Sequence, residues 1–144
     1  MSGPQLLRET LIDLPCTSII KTDYLWQFAF GSAGVSLNLE CPWRFLLQGM
    51  VAFGCDDHQQ QFGRPLQIDG VEKSHELLLT SPVVSVEVRD GTGDLAIGFQ
   101  NGVRLEAFNL SSGYEGWTCS LADGRVVVAQ GGGNVCVSNP VRGN

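Results

Sequence analysis

The residues best suited to chemistry in this sequence form one short polar run. The run reads Cys55-Asp56-Asp57-His58. Thiolate, carboxylate and imidazole groups are the usual ligands of zinc, and a thiolate held beside an imidazole base is the arrangement of a cysteine nucleophile. A zinc site, however, draws four ligands from paired short motifs. Only Cys41 upstream and His75 downstream could add to this run, and neither belongs to a second such motif.

We therefore interpret the run as a solvated polar loop in which Asp56, Asp57 and His58 are candidate binding residues. We expect no metal, no cofactor and no catalytic residues. A cysteine-dependent enzyme that uses Cys55 with His58 remains an alternative, although a three-residue spacing in a loop does not define the geometry of a thiol and its base.

A second candidate surface lies in the glycine-bounded loop Ser-Ser-Gly-Tyr-Glu-Gly-Trp, residues 111–117. Tyr and Trp combine a large apolar area with a polar tip, which favours them in recognition surfaces. We expect Tyr114 and Glu115 to be exposed and to bind, with Trp117 beside them. The structural alternative is that Trp117 closes the end of a sheet while Glu115 caps a backbone donor.

The charge balance narrows the classes of partner. Nine Lys and Arg residues stand against fifteen Asp and Glu, for a net charge of −6. A nucleic-acid-binding surface must displace counterions with positive charge, and a membrane surface attracts polybasic segments. We therefore expect neither nucleic acid nor membrane as a partner. Five cysteines, an odd number, and a first segment without a signal-like apolar run favour reduced thiols and a cytoplasmic location.

Alternating apolar residues in the second half predict a meander of three strands. Because strand side chains alternate between the two faces, such runs indicate half-buried strands. An Asp-Gly-Thr-Gly-Asp turn follows the first strand, and Asn101-Gly102, a strong hairpin turn, follows the second. The alternating residues are Val84, Val86 and Val88, then Leu95, Ile97 and Phe99, then Val103, Leu105 and Ala107.

The first half contains a weaker copy of this pattern. Trp26, Phe28 and Phe30 alternate, a turn at residues 31–34 follows, and Val35, Leu37 and Leu39 alternate after it. Trp43 and Trp117 each come after the second strand of their unit. Duplication of one unit explains the likeness, and so does convergence on the same hairpin pattern.

These patterns predict a mainly β, antiparallel, meander or sandwich-like fold of two similar hairpin units with one short helix. We expect a single domain over residues 1–144, with the units at 12–49 and 83–138 and a frayed tail at 139–144. The middle, 50–82, should hold a loop or irregular edge over 50–62 and the helix over 71–80. A final hairpin should turn at the glycines 131–133.

Several segments resemble a family of small bacterial β-rich proteins of unknown function, some similar to toxin-immunity proteins. The resemblance spans residues 12–138 and is carried by Ile-Asp-Leu-Pro at 12–15, Leu-Ala-Ile-Gly-Phe-Gln-Asn-Gly-Val-Arg-Leu at 95–105, Tyr-Glu-x-Trp at 114–117 and the closing glycine-rich hairpin. It implies a compact β domain and no catalytic residues. The chain departs from the family in its Cys- and Gln-rich stretch at 55–61.

From these observations we expect a non-enzymatic, protein-binding domain, with an immunity-type partner as its most specific form. One alternative is a small-molecule site between the two units, lined by Trp26, Trp43 and Trp117. A homodimer through an uncovered sheet edge is a further expectation.

Overall fold

Two antiparallel sheets make up most of the computed structural model, which describes residues 1–31 and 34–140. The mainly β, antiparallel class predicted from the alternating residues is confirmed. In chain order the strands are β1 (Cys16–Lys21), β2 (Trp26–Phe30), β3 (Val35–Leu39), β4 (Trp43–Leu47), β5 (Met50–Gly54), β6 (Val83–Val88), β7 (Leu95–Phe99), β8 (Val103–Ala107), β9 (Trp117–Ser120), β10 (Val126–Ala129) and β11 (Val135–Ser138).

Two α-helices accompany the strands. The helix expected over 71–80 is present as α2 (Gly70–Leu78), and a helix that we did not predict, α1 (Gly3–Leu11), precedes β1. Ser2 caps α1 in a capping box: its hydroxyl accepts from the Gln5 amide at 3.2 Å, and the Gln5 side chain accepts from the Ser2 amide at 3.1 Å. This Ser-x-x-Gln pattern was a readable signal for the helix.

The two predicted units exchange strands. One sheet has the order β1-β2-β3-β9-β10-β11, and the other has the order β5-β4-β8-β7-β6. Each meander of three strands is thus extended by strands from the opposite half of the chain, because β9 pairs with β3 and β4 pairs with β8. Each helix likewise packs on the first strand of the opposite meander: α1 packs on β6, and α2 packs on β1.

Within the described residues, the two halves share an order of elements, in which one α-helix precedes five strands, with a sixth strand in the second half, and they share one irregularity of strand pairing. The β1–β2 pairing shifts register between Cys16 and Ser18, and the β6–β7 pairing shifts between Val83 and Ser85. An isolated antiparallel bridge joins Pro15 to Pro82 at the start of these two strands. The two halves therefore meet at equivalent positions.

The strands β5 and β11 each lie at the edge of a sheet. Residues 50–54, which we placed in a loop or irregular edge, form the edge strand β5, with a register shift opposite Phe45 and Leu46. The final hairpin is confirmed as β10 and β11, and β11 has no counterpart in the other sheet. The predicted turn at 31–34 and the tail at 139–144 extend into residues outside the described ranges, namely 32–33 and 141–144.

Aromatic side chains from both sheets fill the space between them. Phe30 of β2 stacks on Phe99 of β7, with ring centroids 6.4 Å apart, and Phe28 meets Phe45 of β4 edge to face at 6.1 Å. No helix within the described ranges is long and apolar enough to cross a membrane.

Candidate functional site

A groove of about 630 Å³ lies between β5, α2 and the segment that connects them. Ala52 and Phe53 of β5 form one wall, and Glu72, Lys73 and Glu76 of α2 form the opposite wall. The connecting segment closes one end with the side chains of residues 62 and 64–69. We refer to this feature as the β5–α2 groove.

The segment of residues 59–68, here called the arm, projects apolar side chains into solvent. Its base is closed by two backbone hydrogen bonds, from the Gln59 amide to the Ile68 carbonyl and from the Ile68 amide to the Gln60 carbonyl, each 2.8 Å long. Phe62 and Leu66 remain 67% and 81% exposed although both line the groove. Exposed apolar side chains grouped beside a concave surface are typical of an interaction site.

Phe62 also has a strained backbone. Its φ of 48° lies in the left-handed region, which bulky residues rarely adopt. A residue held in this region costs on the order of 1–3 kcal/mol, and such residues cluster at functional sites. The strain turns the chain at the tip of the arm and coincides with the exposed ring.

Strand β5 ends its sheet and has a free outer edge within the described part of the chain. Its first residues, Met50 and Val51, are exposed, whereas Phe53 is buried against the core. An edge strand presents unpaired N–H and C=O groups that can pair with another chain. The β5–α2 groove is therefore bordered by backbone that can form hydrogen bonds as well as by apolar side chains.

Carboxylates outnumber cations around the groove. The carboxylates are Asp57, Asp69, Glu72 and Glu76, and the cations are Arg64 and Lys73. Two carboxylates have structural partners: Asp69 accepts from the Val71 and Glu72 amides at the start of α2, and Asp57 accepts from the Gly54 amide at 2.8 Å. The surplus of negative charge agrees with the net charge of the chain and favours a positively charged ligand.

Among the residues proposed from sequence, His58 contacts the first residue of α2 and the ring of Trp26. Its Nδ1 accepts a 2.9 Å hydrogen bond from the Gly70 amide, the first residue of α2, and its ring meets Trp26 edge to face with centroids 5.8 Å apart. Asp57 borders the groove, whereas Asp56 lies in a separate hollow of about 350 Å³ near Trp26 and Trp43. The structure thus divides the run 55–58 between two surfaces.

The Cys55 thiol is partly withdrawn from solvent. Its sulfur accepts from the Trp43 amide at 3.4 Å, and burial raises the pKa of this thiol above its ordinary value. A raised pKa lowers the thiolate fraction, which is the reactive and metal-binding form. Among the described residues, no three His, Cys, Asp or Glu side chains come together to hold a metal ion.

The second predicted surface, residues 114–117, contains both exposed and buried side chains. Tyr114 and Glu115 are exposed, while Trp117 is buried and its Nε1 donates to the Gly93 carbonyl at 2.8 Å. The Ser111 hydroxyl shapes the loop by accepting from the Gly113 and Tyr114 amides. Of the three residues proposed from sequence, Tyr114 and Glu115 are exposed and Trp117 is not.

The three tryptophans proposed to line a small-molecule site are all buried in the core. Trp26 and Trp43 pack edge to face with centroids 5.0 Å apart, and Trp117 lies on β9 in the same sheet as Trp26. Trp26 and Trp43 also line the 350 Å³ hollow that contains Asp56.

Comparisons with known proteins found no match for this chain among protein-family models, curated proteins or solved structures.

Sequence reasoning missed the residues that define the groove. Phe62 lies in the stretch 50–62 that we interpreted as a loop or irregular edge, and Leu66 lies in the connection between that stretch and the helix. The available signal was the presence of isolated large apolar residues, Phe62 and Leu66, without the period of a helix or a strand. Such residues have no regular face to bury, so their exposure could have been suspected.

Proposed function

We propose that this chain is a protein-binding domain and that its partner docks in the β5–α2 groove. The observation that carries the proposal is the exposure of Phe62 and Leu66 at the groove, on an arm whose backbone is strained at Phe62. Apolar side chains held in water on an ordered loop beside a groove are typical of an interaction site. Contact with another protein would bury both side chains.

The polar features of the groove support a protein rather than a small apolar ligand. The groove is an open trough with an edge strand on one side and carboxylates of α2 on the other. Small-molecule sites are mostly enclosed and apolar with few polar groups. A trough with mixed apolar and acidic walls fits a polypeptide that carries apolar and basic side chains.

The resemblance to immunity-type proteins supports a more specific form of the proposal, in which the partner is a bacterial toxin. A net charge of −6 suits a basic toxin, since complementary charge speeds association and excludes other partners. The segment in which the chain departs from that family, 55–61, adjoins and partly forms the arm, so the partner's identity would depend on it.

The test compares two substitutions at matched positions. Leu66→Asp places a charge at the groove, and Leu110→Asp places the same charge at a residue that is 76% exposed and outside the groove lining. Proteins captured by the immobilised chain are identified, purified and measured for binding to each variant. The product of a neighbouring gene is the first candidate to purify.

We expect Leu66→Asp to weaken binding by at least about tenfold, which corresponds to roughly 1.4 kcal/mol, and Leu110→Asp to bind like the parent chain. Leu110 lies four residues before Tyr114, so comparing the two variants also distinguishes the groove from the surface at Tyr114 and Glu115. Loss of binding in Leu110→Asp with full binding in Leu66→Asp would move the site to Tyr114 and Glu115 and overturn the groove proposal.

A further inference from the structure

The repeat of the two halves identifies what the groove is shaped to receive. Strands β10 and β5 are counterparts, because each is the second strand added to the opposite meander, after β9 and β4 respectively. The outer edge of β10 is paired with β11, antiparallel, over all four of its residues. The outer edge of β5 has no such strand among the described residues.

The helices place the counterpart of β11 in the groove. In one sheet, α1 packs on both β10 and β11, and a Cβ added at Gly3 of α1 would come within 3.1 Å of the Val135 side chain. In the other sheet, α2 packs on β5, and Ala52 and Phe53 of that edge strand line the β5–α2 groove. A strand paired to β5 as β11 is paired to β10 would therefore lie along the groove.

We propose that the groove binds an extended segment of a partner protein, which pairs antiparallel with β5 and carries alternating apolar and basic residues. This inference rests on the proposed function and adds the mode of binding. Backbone hydrogen bonds to β5 supply the pairing, as in known cases of strand addition. Apolar side chains of the segment contact Phe62 and Leu66 of the arm, and basic ones face Glu72 and Glu76 of α2.

The charge of the groove favours a partner segment over a second copy of this chain. Pairing two copies through β5 would bring together two grooves that each have four carboxylates and two cations. Like charges placed opposite each other oppose association. A basic segment meets no such repulsion.

The experiment uses synthetic peptides of about nine residues with alternating Val and Lys, a length that covers a typical strand. A Val/Glu peptide of the same length tests charge. Two further Val/Lys peptides are N-methylated, one on every Val and one on every Lys, so that each lacks the donors of a single strand edge. Binding to the full chain is measured by fluorescence anisotropy.

We expect the Val/Lys peptide to bind and the Val/Glu peptide to bind at least about tenfold more weakly. One N-methylated peptide should lose binding and the other should retain it, because only one edge of the added strand faces β5. Hydrogen exchange at residues 50–53 should slow when the peptide is bound. Equal binding of both N-methylated peptides, or no binding of the Val/Lys peptide, would overturn strand addition.

Matched protein variants provide the control. Val51→Lys adds a charge at the free edge of β5, and Val84→Lys adds the same charge on the edge strand β6, where the valine is 54% exposed against 59% for Val51. Only Val51→Lys should weaken the binding of the Val/Lys peptide. Equal weakening by both variants would contradict the proposal.

Two outcomes separate this inference from the proposed function. If a purified partner is sensitive to Leu66→Asp yet insensitive to Val51→Lys and is not displaced by the Val/Lys peptide, the groove binds proteins but strand addition is wrong. If light scattering shows a dimer of the chain that Val51→Lys dissociates, the occupant of the edge is a second copy, and the partner segment is overturned.

Discussion

The amide of Gly70 donates a 2.9 Å hydrogen bond to Nδ1 of His58, so an imidazole from the loop caps the first turn of α2. Helix N-termini leave amides without internal partners, and an acceptor at this position stabilises the helix. A histidine that sequence reasoning offered as a binding or catalytic residue thus holds one wall of the β5–α2 groove in place.

Replacing His58 should destabilise the fold. We expect His58→Ala to lower the free energy of unfolding by about 1–2 kcal/mol, through the lost hydrogen bond and the lost edge-to-face contact with Trp26. Urea unfolding followed by tryptophan fluorescence measures the change. His75→Ala is the matched control, since the Nε2 of His75 is buried with no partner among the described residues. A larger loss in His75→Ala would contradict the capping role.

The equivalent residues Trp43 and Trp117 should respond differently to replacement by phenylalanine. Trp117 Nε1 donates to the Gly93 carbonyl, while Trp43 Nε1 is buried without an acceptor in the described ranges. Both changes remove similar volume, but only Trp117→Phe breaks a hydrogen bond. We expect Trp117→Phe to lower the free energy of unfolding by about 1–2 kcal/mol more than Trp43→Phe does. Equal losses by urea unfolding would show that the Trp117 hydrogen bond contributes no net stability.

The buried thiols should make the protein less stable in alkali. Burial raises the pKa of both Cys16 and Cys119 to about 12, from an ordinary value of 9.0. A thiol whose folded-state pKa is raised stabilises the fold fully below its unfolded pKa, and this contribution is lost as pH rises from about 9 toward 12. The loss approaches about 1.4 kcal/mol per pH unit for each thiol.

The measurement is the free energy of unfolding between pH 8 and about pH 10.5, in the parent chain and in Cys119→Ala. The variant should lose less stability over this range, because it lacks one titrating thiol. Cys119 lies on β9 between Leu37 and Val127, which keeps the thiol out of water. Identical pH slopes in the two proteins would contradict this account.

Relieving the strain at Phe62 should separate stability from binding. Glycine adopts a φ of 48° without steric cost, so Phe62→Gly should raise the free energy of unfolding by about 1 kcal/mol while weakening partner binding. Thr80→Gly is the control: Thr80 has a φ of 66° and lies outside both the arm and the groove lining, so relieving its strain should leave binding unchanged. A destabilised Phe62→Gly would mean that the ring serves folding rather than a partner.

Local sequence patterns predicted much of the secondary structure. Alternation with a period of two identified the strands around Phe28, Leu37, Ile97 and Leu105, because the pleat of a strand puts successive side chains on opposite faces. Turn residues such as Asn101-Gly102 marked the hairpins. The capping signal of α1 was present at Ser2 and Gln5 but was not used.

The amino-acid sequence by itself therefore determined the strands and turns of the two meanders and indicated the likeness of the two halves. Only the tertiary structure decided that β4 and β9 leave their own units to pair with β8 and β3. Pairing between strands distant in the chain depends on backbone hydrogen bonds and on a shared core, and neither leaves a local pattern. The same pairing covers β10 with β11 and leaves the edge of β5 open, so the β5–α2 groove could not be read from the sequence.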